Sequence, residues 1–120
     1  VHIEQFREYC LAKAGATEAL PFDADTLVFK VGGKMFALCS LSNYGNGIAL
    51  KCEPEKAVEL REQYPQVRPG YHMSKIHWNT VLPEAGLSHQ LLQEWIDESY
   101  RLVAAKLTRK QKQEIGLTYV

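Results

Sequence analysis

Apolar side chains recur along the first stretch at helical intervals. Ile3, Phe6, Cys10 and Ala14 fall on one side, and Glu4, Gln5, Arg7 and Glu8 on the other. The spacing predicts an amphipathic helix over residues 2–14, with Gly15 as its C-terminal cap. Thr17 to Phe22 is ambiguous and fits an edge strand, because Pro21 removes one amide donor. From Leu27 the pattern turns β-rich: Leu27-Val28-Phe29-Lys30-Val31 runs into Gly32-Gly33 and out through Lys34-Met35-Phe36-Ala37-Leu38-Cys39. This predicts a hairpin, since tight primed turns need the positive φ that glycine takes without strain. Asn43 to Gly47 reads as a second turn and Ile48 to Cys52 as the third strand of an antiparallel meander.

Pro54 suits the first turn of a helix, with Glu53 and Glu55 where the helix dipole favours negative charge. Ala57, Leu60 and Tyr64 form its apolar side and Pro65 stops it. Pro69-Gly70 predicts a turn and His77 to Val81 a strand, broken off by Pro83 and Gly86. Ser88 caps a long helix whose buried face is Leu91 or Leu92, Trp95, Ile96, Ser99, Leu102 and Val103. Thr108 and Gln111 have capping-box spacing, which predicts a short last helix over 109–115. Helices laid on one face of a small antiparallel sheet, an α+β class, follow from that order.

Composition narrows the picture. At 120 residues the chain reads as one domain, 1–120, with 108–120 as a C-terminal helical extension. Lys plus Arg and Asp plus Glu number 14 each, so nothing at whole-chain level draws in a polyanion. A nucleic-acid surface would have to come from local segregation of charge. No apolar run approaches the ~20 residues of a membrane span and no signal segment is visible, so a cytoplasmic protein without a membrane partner is expected. Cys10, Cys39 and Cys52 are odd in number, far apart and set among apolar residues. Buried thiols in a reducing compartment fit them better than a disulfide framework or a zinc site.

Several of these segments resemble the MmcQ/YjbR family. The resemblance lies in residues 27–38, in Leu50-Lys51-Cys52-Glu53-Pro54, in Glu62-Gln63-Tyr64-Pro65, in Arg68-Pro69-Gly70-Tyr71-His72-Met73 and in His77-Trp78-Asn79-Thr80. They come in the expected order, and the resemblance extends over about residues 3–107. The resemblance implies a double-wing, frataxin-like fold and a DNA-binding role, the latter by analogy of fold.

Arg68 to Asn79 is the most unusual segment, holding Arg68, Tyr71, His72, Lys75, His77, Trp78 and Asn79 and no acid. Arg and Lys can meet phosphates, aromatics can stack on bases, and Asn can read a base edge. Lys30, Lys34 and Lys51 lie on the meander, where a projecting hairpin could neutralise phosphates. Each group also has a structural reading: Tyr71 and Trp78 as core anchors, His72 and His77 in structural hydrogen bonds, the lysines as edge-strand guards. The basic tract 101–112 suits either an anion-binding face or the C-terminal end of a helix.

Histidines 2, 72, 77 and 89 show no metal-ligand spacing, and no serine or cysteine sits in an activating motif. Neither a metal, a cofactor nor a catalytic site is expected. The sequence therefore predicts a monomeric, weak, phosphate-directed DNA binder using the hairpin and the Arg68–Asn79 loop. The competing expectation is a non-enzymatic module that holds a protein, peptide or small ligand in a groove near Trp78.

Overall fold

A computed structural model of the chain describes residues 1–70 and 73–117. The first helix, α1 (Ile3–Leu11), buries Phe6 and Cys10 and stops short of residue 14. There the chain turns back, with Lys13 N–H donating to Cys10 O and Ala16 N–H to Lys13 O, and enters β1 (Ala16–Ala19). Among the described residues six strands follow the chain as β1, β2 (Thr26–Val31), β3 (Lys34–Ser40), β4 (Ile48–Lys51), β5 (Val67–Pro69) and β6 (Trp78–Val81). Between them lie a short 3-10 turn over Tyr44–Asn46 and α2 (Pro54–Gln63), and after them α3 (His89–Ala104) and α4 (Arg109–Glu114).

The sheet order is β1-β2-β3-β4-β6-β5, and every neighbouring pair is antiparallel. β5 occupies the place where only the Pro69-Gly70 turn was expected. Three residues with a proline carry too little local signal, and the strand exists because Val67, Arg68 and Pro69 register with Val81, Thr80 and Asn79. The expected strand at 77–81 begins one residue later, leaving His77 in the preceding turn.

One face of the sheet builds the core. Phe29, Val31, Cys39, Ile48, Leu50 and Val81 pack against Phe6 of α1, Ala57 and Leu60 of α2, and Leu92, Trp95, Ile96 and Val103 of α3. The α3 face is the one its periodicity predicts, with Leu92 rather than Leu91 buried, except that Leu102 is half-buried. Ser88 Oγ caps α3 by accepting from Leu91 N–H at 3.0 Å, and Thr108 with Gln111 forms the expected box at α4. Among the described residues no helix is long and apolar enough to cross a membrane.

A bulge modifies this face. Phe29 registers with Ala37 but Lys30 with Met35, so Phe36 is an extra residue that swings fully into the core. Ser99, fully buried on α3, repairs the backbone there. Its hydroxyl donates to Phe36 O and accepts from Lys51 N–H at 2.8 Å, satisfying both where β3 and β4 part.

Candidate functional site

Because side chains alternate across a strand and registered pairs share a face, the strand register defines what the helix-free side of the sheet displays. Arg68, Thr80, Ala49, Leu38, Val28 and Ala19 form one row running across all six strands. Lys30 registers with Met35 and Thr17 in a second row, which Lys51 and Trp78 continue on the other side of the bulge. Strand residues include one carboxylate, Glu18, and it is held by Arg7 at 2.6 Å on the helix side, opposite the core residue Phe29. The helix-free face is therefore apolar along its middle and cationic towards its two ends. Arg68 and Lys30 stand four strand spacings apart, about 19 Å.

The candidate residues divide accordingly. Lys30 and Arg68 share the open face. Lys51 registers with Trp78 and, at the end of its strand, also borders a depression of about 350 Å3 with His77, Lys106 and Glu53. Lys34 is exposed at the hairpin tip but registers with the core residue Val31, so it leaves the tip on the helix side. There the tip meets α4, where Gln111 Nε2 donates to Gly32 O at 3.4 Å. Lys34 thus joins the α4 cations rather than those of the sheet. Among the described residues no carboxylate forms an ion pair with Lys30, Lys34, Lys51, Arg68 or Lys75. Lys75 Nζ donates to Gly70 O at 3.2 Å, and Lys75 and His77 are exposed.

Two assignments need correcting. Trp78 is 8% exposed and Asn79 2% exposed, so neither ring nor amide is free to meet a base. Gly70 lies over Trp78 so closely that a Cβ there would be 2.9 Å from Trp78 Cβ. Asn79 registers with Leu50, a core residue, and so faces the helices; its Oδ1 accepts from Arg61 Nε at 2.7 Å and its Nδ2 donates to Ala57 O at 3.3 Å. Tyr71 and His72 lie outside the described residues. The basic tract 101–112 is likewise split, because Arg101 is engaged by Glu98 and lies 3.7 Å from Glu53.

A groove of about 560 Å3 crosses the helix-free face, floored by Leu38, Ala49 and Thr80 and walled by Phe22 on one side and Met73 on the other. Trp78 does not line it. Ser40, Asn43 and Asn46 supply polar groups at its end. Beyond Asn46 and Thr80 a second concavity opens, bordered by Arg68, Pro69 and Leu82. Asp25 lies beside the Ser40 end. Hydrogen bonds from Ser40 Oγ and from Ser42 hold its carboxyl below the ordinary carboxylate range. Periodicity missed this groove because Phe22, Leu38, Met73 and Thr80 come from four separate segments. The available signal was Met35 and Leu38, apolar residues of β3 that sit outside the core stripe.

Known proteins share this fold. The family model described as YjbR matches residues 11–102. The Escherichia coli K12 protein named YjbR is 32% identical over 113 residues, covering 94% of this chain and 95% of the relative. YbdF of E. coli O157:H7 is 38% identical over 79% of this chain and 78% of its own length, and both relatives are named as uncharacterized. A crystal structure of a Deinococcus radiodurans protein with a DUF419 domain superposes with a TM-score of 0.88 at 38% identity, covering 96% of this chain and 88% of that one. A Pseudomonas syringae protein gives 0.74 at 29% identity, over 86% of this chain and 99% of the other.

Proposed function

Since the chain belongs to the YjbR family, and the relatives' names assign it no activity, we propose on the geometry that it binds DNA weakly through the phosphate backbone. The contact surface is the helix-free face of the sheet together with the hairpin tip. The observation that carries this reading is the segregation of charge on a neutral chain. The strands carry Lys30, Lys34, Lys51 and Arg68 against the single carboxylate Glu18, which Arg7 already neutralises. Unpaired cations are what displaces counterions from a phosphate backbone, and of the four only Lys51 shares a depression with a carboxylate, Glu53.

Replacing about three or four counterions gives a slope of log affinity against log salt of roughly −3, a loss of roughly sixtyfold between about 50 and about 200 mM. Anisotropy titration of a labelled duplex at those two concentrations measures it. The K30A/K34A/R68A variant should bind too weakly to titrate, or show a slope near −1. Duplex binding that ignores salt, or a variant that binds as the wild type does, sinks the proposal.

A further inference from the structure

The groove on the helix-free face raises a question that cation density does not answer, namely what lies on its apolar floor. Resting on the DNA-binding reading above, we infer that the strand held here is single-stranded, with one unstacked base seated between Phe22 and Met73 and a flanking phosphate on Arg68.

The groove is sized for a compact ligand: about 560 Å3 falls within the roughly 300–1,000 Å3 usual for small-molecule sites. Its floor of Leu38, Ala49 and Thr80 belongs to the transverse row of the sheet. Phe22 stands at its lip 64% exposed, and no other ring of the described residues stacks on it. An aromatic left in water beside an apolar floor gains from the face of a base, and only an unpaired base offers its face. A base pair within a duplex shows its edges alone, and those are read by a helix or ribbon inserted into a groove. The core-packing helices α1, α2 and α3 lie on the opposite side of the sheet, so this surface has none of them to insert.

Charge sets where the backbone of that strand lies. The concavity holding Arg68 shares Asn46 and Thr80 with the base groove, so a phosphate on Arg68 adjoins a base on Leu38 and Ala49. Gly47 keeps the two in register. It sits at φ 131°, and a Cβ would fall 2.3 Å from Thr80 Cγ2, so only glycine lets the 43–47 turn close against the floor. Carboxylates border the site at three places: Asp23, turned onto the amide and hydroxyl of Thr26; Asp25, turned onto Ser40 and Ser42; and Glu84, which approaches Gly45. The two aspartates are engaged by their own turn, and Arg68 is the cation facing the groove mouth. The strand therefore runs with its phosphates towards β5.

The test compares a labelled oligothymidylate with a duplex of equal length, for wild type, Phe22→Ala, Phe22→Trp and the cation variant of the preceding section. The single strand should bind at least about tenfold tighter than the duplex, and Phe22→Ala should weaken single-strand binding by about tenfold and so close that gap. Phe22→Trp should keep the affinity and show quenching of the new indole by the bound base. Thymidine monophosphate should fail to compete where the oligonucleotide succeeds, which separates a strand from a free nucleotide. Equal affinity for strand and duplex, or a Phe22→Ala protein that binds as wild type, overturns the base seat. If binding nonetheless falls in the cation variant, the DNA-binding reading survives alone. Absence of any DNA binding ends both.

Discussion

Asn79 offers the sharpest separation between a folding role and a recognition role. An exposed asparagine that reads a base edge can be changed to alanine at little cost to stability. The asparagine in this fold is 2% exposed and ties β6 to α2 through Arg61 Nε and Ala57 O, and indirectly to the turn before β6, because Arg61 also donates to Lys75 O and Trp78 O. Asn79→Ala removes one hydrogen bond to a charged group, about 1.5–3 kcal/mol, and one neutral bond of about 1 kcal/mol. A loss of about 3 kcal/mol results. At an unfolding entropy of about 2.1 cal/mol/K per residue, that lowers the Tm by roughly 12 °C for a chain of this length. Thermal melting followed by circular dichroism reads the shift directly. Arg61→Ala should destabilise comparably, and the double variant should fall short of the sum because the two changes break the same bond. A variant melting within about 2 °C of wild type would show the Arg61–Asn79 tie to be dispensable, and loss of DNA affinity alongside it would restore the base-reading role.

Two further expectations follow from titratable groups. Asp23 and Asp25 have lowered pKa values, Asp23 through the Asp25 and Thr26 amides and Asp25 through Ser40 and Ser42. A depressed folded pKa gives stability that is present above the unfolded value of about 3.9 and is lost as the pH falls through the folded value. The Tm gap between wild type and Asp25→Ala should thus be open at neutral pH and narrow below about pH 4; a gap independent of pH would contradict the assignment. The cysteines should resist a disulfide reagent at mildly alkaline pH. All three are buried, and burial pushes the Cys39 thiol up to about 11 and raises Cys10 further. Reaction of any of them in the native protein at the rate seen in urea would refute this.

Local patterns in the chain account for most of the architecture. The 3.6-residue spacing of Leu92, Trp95, Ile96, Ser99 and Val103 and the Gly32-Gly33 hairpin are encoded within a few residues of themselves, so they are legible in isolation. β5 is not, because its three residues become a strand only by pairing with β6. The same limit governed the site. Arg68 to Asn79 stands out in composition as free of acid, yet composition does not say that Asn79 faces α2 or that Gly70 covers Trp78. Whether a strand residue looks towards helices or solvent depends on alternation counted from the core, and a one-residue error exchanges the two. Phe22 was legible only as part of an ambiguous segment, since its partners across the groove come from distant strands.

The last helix has a consequence for how the chain can be shortened. Leu107 sits so close to Gly32 that a Cβ there would lie 2.5 Å from its Cδ2, and Ile115 presses on Gly15 in the same way. Both glycines are bare spots, one on the hairpin tip and one on the corner between α1 and β1, and the C-terminal segment plugs both. That segment begins after residue 102, where the family match ends. Ending the protein at residue 102 would take away the plug along with the tail, and two distant corners of the molecule would loosen together.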